Sequence, residues 1–572
     1  MNVAFSYLGR SSLEGSHLNL APNLSRDAVA FDAALKSPQR FREAISALHD
    51  VVISDHRFKR RDKSAYEAWK TAEAERVTAL RSGVVKQARA DILARQAQPV
   101  PADLERRFHK STKTYWGARQ AYASYLREHD MDLWRKLMPC DPVITVAPDV
   151  VFFECFSADE SSYGCLTVNR EDGFGPSGDL QLGTTNVDYS WDLYHEFQSL
   201  RSYRETRFKL DPAGFDVRTH DQAEYREEKI DLPKGWLRGF MQLQAAMALP
   251  MRRVTLTREA VYSLLVWLKR HKAKTSPRGL RFEQLPGQPL TLVLEPWEQR
   301  IPVRGGVSDG NWTEPVRIWG RQRLLALARL LPLVESVDVY LLGTGFPSFW
   351  VAKMGEMKMT LGLSGWTAND WTRSSSLDLL VPPVPATSLE IEATAAFLQR
   401  NRAARFDAID AATARAPAAT MAALNHLAHT GQVIHDLAYG LYRWRQIMPR
   451  ALGEAELGPE NEEVTASRTI ILRKRVEIET RIAAPGGGMI FTGKADGTPV
   501  ELLIDADGRM KRGRCLCSHF RKAGLRMGPC RHLLALRWAA FNPTPEPAAA
   551  TDWFTRLRAQ AEPKGGARDH TF

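Results

Sequence analysis

The chain has 572 residues, 44% hydrophobic, 25% charged and 9% aromatic, with 78 basic and 66 acidic side chains for a net charge of +12. Six cysteines in so long a chain exclude a disulfide scaffold, and the longest apolar window, residues 324–342, is broken by Arg329, Pro332, Glu335 and Asp338, which excludes a membrane span there. The basic excess permits attraction to nucleic acid, anionic lipid or acidic protein and selects none of them. The first residues lack the basic start and apolar run of a signal peptide, so a soluble protein of the reducing cytoplasm is expected.

Residues 1–140 read as a mostly helical region. The first 60 are mixed. From 62 to 138, Tyr66, Trp69, Val77, Leu80, Val84 and Ile92 form one apolar stripe; Leu104, Phe108, Tyr115, Tyr122, Leu126, Leu133 and Leu137 form a second. Pro99-Val100-Pro101 separates them, which predicts an antiparallel helical hairpin. Such a hairpin either packs on its own domain or grips a partner.

Residues 141–380 read as a mixed α/β region. Short β-rich runs at 143–146, 150–153, 254–257, 290–294, 337–342 and 359–363 alternate with helical stretches at 191–204, 236–249 and 258–271. Trp350, Trp366 and Trp371 stand close together beside glycine and asparagine, either as the edge of a core or as the lining of a cleft. The prolines of 381–385 mark a linker.

Residues 388–449 form a compact unit by their pattern. Three short helices are predicted at 390–401, 406–413 and 418–429, the last opened by Pro417 and closed by Gly431. Two strands follow, 432–435 and 441–445, around the turn-prone Tyr439-Gly440. This is the order of a winged helix, with the third helix as recognition element and the hairpin as wing. The recognition helix offers Asn425, His426 and His429 but no lysine or arginine, whereas Arg443 and Arg445 alternate with aromatics in the wing. Residues 454–463 read as an acidic, solvated spacer.

Strands are predicted next at 476–482, 489–492 and 500–505, leading into Cys515, Cys517, Cys530 and His532, spaced Cys-x-Cys-x12-Cys-x-His. Thiolates and an imidazole are the ligands zinc takes at tetrahedral corners. Gly513 is expected to help the chain curl round the ion, and Gly528-Pro529 to turn it into an apolar helix that begins at Cys530 and His532. All four positions are protein side chains, so the zinc would be structural and not catalytic. In a segment too small to fold by burial alone it would contribute roughly 10–16 kcal/mol. His519 is a spare imidazole, expected not to be a ligand.

The motif resembles the SWIM zinc finger, whose signature is Cys-x-Cys, a variable gap and Cys-x-His, over residues 475–541. The resemblance implies Cys515, Cys517, Cys530 and His532 as ligands of one Zn2+, and binding to DNA or protein. A large α/β region, a winged-helix-like unit and a SWIM finger in this order also look like bacterial SWIM proteins encoded beside MoxR-type AAA ATPases and VWA-domain proteins. That implies a cytoplasmic, non-catalytic adaptor, or alternatively a protein-only scaffold of such an ATPase/VWA system.

Nine basic residues lie between Arg509 and Arg537, and no acid occurs between Gly508 and Phe541. Arg512, Arg514, Arg521, Lys522, Arg526 and Arg531 are thus candidate nucleic-acid contacts. An acidic protein partner, or compensation of the anionic metal site alone, would use the same charges. No motor, nuclease or hydrolase motif is found. The run Gly488 to Ala495 matches G-x4-G-K but ends in alanine where magnesium needs a hydroxyl, and it reads as a strand. Cys155 with Asp159 and Glu160, or His195 with Glu196, are sequence neighbours without a catalytic constellation. Residues 542–572 form a tail. The whole is read as a multidomain α/β (α+β) protein.

Overall fold

The computed structural model describes residues 11–54, 142–210, 234–447 and 461–541, short stretches within them excepted, and scattered positions between 103 and 129. Met1–Val52 and Cys140–Phe572 cluster as one unit and Ile53–Pro139 as another. The two apolar stripes of the expected hairpin, the proline linker at 381–385 and the tail fall outside the described residues. In the second arm, Arg106, Arg107, Lys110, Thr114, Ala121, Tyr125 and His129 are helical.

The larger unit is mixed α/β. The start of the chain, mixed in sequence, supplies strands Ser12–Glu14, His17–Leu20 and Ala30–Leu35 before the helix Pro38–Val52. The strand Ala30–Leu35 alternates buried Phe31, Ala33 and Leu35 with half-buried neighbours, the pattern of a sheet covered on one face. With Thr206–Leu210 and Leu180–Gln181 these form a five-stranded sheet whose one parallel pair joins His17–Leu20 to Thr206–Leu210.

Nine strands make the central sheet, every pair antiparallel: Val307–Ser308, Arg252–Thr257, Ser336–Leu341, Ser348–Met354, Met357–Leu363, Ser162–Asn169, Val150–Phe156, Val143–Val146 and Gly183–Asn186. Its middle is closed by Met357–Leu363 against Ser162–Asn169, segments nearly two hundred positions apart in the chain. Val150–Phe156 is buried at every residue because both faces are covered: Phe153 and Cys155 meet the helix Pro38–Val52, and Glu154 and Phe156 meet Arg445, Trp236 and Phe240 on the other side. A smaller sheet, Gln299–Pro302, Thr291–Leu294, Leu280–Glu283 and Val316–Ile318, stands beside it. Trp350 and Trp371 are fully buried, so they belong to the core and line no cleft.

The helices and strands expected in residues 388–449 are present: helices Ser388–Asn401, Phe406–Thr413 and Pro417–His429, then strands Val433–Asp436 and Leu441–Trp444. A short strand, Ala403–Ala404, joins the hairpin as third member of its sheet. Thr387 and Glu390 close the first helix with reciprocal side-chain to backbone hydrogen bonds.

Its orientation departs from the sequence reading. The expected recognition helix packs between the helices Ser388–Asn401 and Lys234–Ala248, with Leu424 and Leu427 in the unit's own small core and Met421 and Asn425 also buried. The expected wing turns inward as well. Arg443 donates from its two terminal nitrogens to the Asp149 carboxylate at 2.6 and 3.0 Å, and from Nε to Asp436 at 2.8 Å. Arg445 lies 3.3 Å from Glu154, both fully buried, with its guanidinium 4.7 Å from the Phe240 ring centre. Neither arginine is available to a phosphate. Asp149 and Glu154 belong to the central sheet and its turn, whereas Asp436 is on the hairpin itself, so Arg443 and Arg445 tie the hairpin to the central sheet.

Candidate metal centre and the basic face around it

The C-terminal module is a four-stranded antiparallel meander, Val476–Ala483, Met489–Ala495, Thr498–Ile504 and Met510–Cys515, covered by the helix Arg531–Phe541. Phe491, Val500, Leu502, Ile504 and Met510 from the sheet share a core with Leu533, Ala535 and Leu536 from the helix. The module therefore owns an apolar core, where the sequence suggested that an ion stood in for one. The strand Met489–Ala495 takes in all of the Gly488–Ala495 run but its first glycine, so no phosphate loop exists there. Gly493 permits a close crossing: a β-carbon there would lie 2.0 Å from the Glu477 carbonyl oxygen, at the register shift of the neighbouring strand.

Cys515 ends the last strand, and the chain then bends straight into the short helix Ser518–Ala523. Cys517 is the N-cap of that helix, its sulfur accepting the Phe520 amide at 3.4 Å. The Cys515 sulfur accepts the Cys517 amide at 3.5 Å and lies 3.6 Å from His532 Nδ1. Gly524 and Gly528 take left-handed φ angles of 60° and 94°, which return the loop to Cys530 at the head of the last helix. Gly513 plays another part than the one expected. It sits inside the strand, where a β-carbon would come within 2.9 Å of Leu533, and lets that leucine pack down.

The three sulfurs and the His532 imidazole nitrogen all lie within 4.8 Å of one another and can hold a metal ion. A hydrogen bond from Cys530 draws the Cys515 thiol down to about 4, while burial pushes Cys517 up, and the bond given to Cys515 together with burial pushes Cys530 up. Three thiolates side by side repel one another, and a soft divalent cation is the partner that lets all three shed their protons.

His519 lies apart from the cluster, its Nδ1 facing Glu463 at 3.8 Å. Glu463 lies in the first turn of a helix the sequence reading missed, Glu462–Leu472, which packs on the last helix. It is buried and not part of a solvated spacer. Arg531 binds it with its backbone amide at 2.6 Å and with Nε and a terminal nitrogen at 3.1 and 2.5 Å. Burial alone would raise the Glu463 carboxyl, but the bonds from Arg531 outweigh it and hold the group below the usual carboxylate range.

The six basic candidates divide accordingly. Arg512, Arg514, Arg521 and Lys522 are exposed, with Lys511 beside them. Arg514 has only a loose cross-strand pairing with Glu501 at 3.9 Å, of the kind that contributes little. Arg531 is engaged by Glu463. Arg526 is half-buried over Gly345 of the central region, so close that a β-carbon at Gly345 would meet its Cδ at 2.4 Å.

The other neighbour pairs have structural roles. Cys155 is fully buried, and Asp159 accepts the hydroxyls of Ser157 and Ser161 at 2.6 and 2.7 Å. Glu196 accepts the Leu13 amide. No helix among the described residues is long and apolar enough to cross a membrane.

No family model matches the chain, and no curated protein matches it. Solved structures align with part of it. One is the crystal structure of proliferating cellular nuclear antigen from Entamoeba histolytica, 12% identical over 39% of this chain and 89% of that one, with a TM-score of 0.27. Another is the PCNA2-PCNA3 complex from Sulfolobus tokodaii, 8% identical over 41% and 94%, also with a TM-score of 0.27. Superpositions this loose carry no functional argument.

Proposed function

We propose that this protein is a non-catalytic adaptor of the bacterial cytoplasm whose C-terminal module is a SWIM-type finger holding one structural zinc ion and presenting a phosphate-binding face to nucleic acid. The observation that carries the reading is the exposure of Lys511, Arg512, Arg514, Arg521 and Lys522 on the strand and short helix that supply Cys515 and Cys517. Three thiolates and a neutral imidazole leave a bound Zn2+ with a net charge of about −1, less than these five cations offset. The zinc, held by Cys515, Cys517, Cys530 and His532, supplies no activated water; it fixes the loop.

The unit at 388–447 has the helix, strand and hairpin order of a winged helix, including the short strand Ala403–Ala404. With both its reading elements turned inward, it serves as a packing module, and contact with nucleic acid is assigned to the finger alone.

A second reading has an observation of its own. Leu516 and Met527, in the two loops that carry the ligands, are exposed at 61% and 37%. Apolar side chains among cations suit a docking surface for a protein, in this case the MoxR-type ATPase or VWA partner that the resemblance implies.

The two readings separate on salt. Fluorescence anisotropy with labelled duplex DNA, single-stranded DNA and RNA is measured at about 50 and 200 mM salt, with zinc content confirmed first. Several phosphate contacts predict a fall in affinity of roughly 10³-fold or more across that range. An Arg521→Glu, Lys522→Glu variant weakens binding further; Arg526 is left intact because it is packed. No binding at low salt by the zinc-loaded protein overturns the nucleic-acid reading.

A further inference from the structure

A cavity of about 300 Å3 lies between the edge strand Gly183–Asn186 and the unit at 388–447, with no finger residue in its lining. That volume is at the small end of ligand sites. Arg402, Trp444 and Gln446 line one side, Arg26 and Asp27 the other. Two guanidinium groups against one carboxylate leave the cavity positive.

Arg402 is held in an unusual backbone conformation, φ 65° and ψ −37°, which a residue with a β-carbon adopts only under constraint. Its amide donates to the Leu398 carbonyl at 2.7 Å, and its carbonyl accepts the Trp444 amide at 2.8 Å. The turn thus fixes Arg402 and Trp444 together at the cavity wall. Among the described residues the Arg402 guanidinium has no carboxylate partner and the Trp444 indole N–H no acceptor. Arg26 is braced across the cavity by a 3.2 Å bond to Asn186 Oδ1, and Gln446 by one of 2.9 Å to Gln432.

We propose that this cavity binds a small anion carrying a flat ring, of the nucleoside monophosphate class. Arg402 pairs with the phosphate, the indole face of Trp444 takes the base, and Asp27 accepts the ribose hydroxyls. The site is separate from the finger and independent of what the finger binds.

The test is isothermal titration calorimetry of the full-length protein with adenosine, guanosine, cytidine and uridine monophosphates, beside inorganic phosphate and the four nucleosides. Expected is saturable one-to-one binding of at least one monophosphate, at least tenfold tighter than inorganic phosphate or the matching nucleoside. Arg402→Gly weakens it at least tenfold while the Tm holds or rises, because glycine relaxes the strained turn. That pairing separates ligand contact from loss of fold, which Trp444→Leu alone would not, since Trp444 also packs on the small core of its unit. Arg521→Glu, Lys522→Glu leaves the binding unchanged. Absence of saturable binding by any monophosphate, equal affinity for inorganic phosphate, or full affinity in Arg402→Gly overturns the assignment.

Discussion

Arg445 and Glu154 face each other at 3.3 Å with neither side chain exposed to water, one on the hairpin that ends the helical unit, the other in the central sheet. Tyr163 completes the group by donating its hydroxyl to Glu154 at 2.8 Å. Such a pair repays its desolvation only while both charges are present.

Arg445→Met strands a buried carboxylate and is expected to cost about 3–5 kcal/mol, whereas Arg445→Met with Glu154→Leu recovers most of that loss. Urea unfolding of the two variants beside the wild type measures it. Equal destabilisation in both would show that packing of Arg445 over Phe240, and not the charge, is what holds the unit.

Cys530→Ser removes a ligand at the head of the last helix. Metal content by atomic emission is expected to fall from one ion per chain to none. The module's apolar core remains, so amide exchange accelerates in residues 515–532 while Thr498–Ile504 stays protected. Loss of protection through the whole sheet would mean that the ion and not the core carries the fold.

The Glu463 carboxyl titrates below its unfolded value, so its contribution is fully present above the ordinary carboxylate range and is lost as pH falls through the folded value. In Glu463→Gln the acid limb of stability is expected to be shallower, and at neutral pH the helix Glu462–Leu472 exchanges faster. Urea midpoints of both proteins between about pH 6 and pH 2.5 test this, taken as differences because the cysteine ligands also take up protons. Parallel curves would count against the role of Glu463.

Gly493→Ala places a methyl 2.0 Å from a backbone oxygen that no rotamer change can move. The bulge at Ile478 to Thr480 has to shift, at a cost of about 1–3 kcal/mol by analogy with overpacked cores. A Tm within a degree of wild type would show that the edge strand yields freely.

Much of this architecture is legible in the sequence where local chemistry decides it. The helices and strands of 388–447 fall within two residues of expectation because Thr387 and Glu390, Pro417, Gly431 and Gly440 punctuate them. The four metal-site residues are legible from spacing alone. Orientation is not, because periodicity says which face is apolar and not which surface covers it. Arg443 and Arg445 looked like wing cations for that reason. A signal was present: Glu154 stands within the otherwise apolar Phe152-Phe153-Glu154-Cys155-Phe156, and an acid there demands a buried base. The helix from Glu462 was hidden by the acidic run before it. The union of Ser162–Asn169 with Met357–Leu363 has no local signature.

One small detail governs the rest of the module. Cys517 both joins the metal cluster and caps Ser518–Ala523, a helix of six residues, too short to persist by itself in water. Arg521 and Lys522 ride on that helix. Were an ion held there, its chelation, or oxidation of the thiols, would leave the formal charge of these two side chains intact while removing what holds the spacing between them.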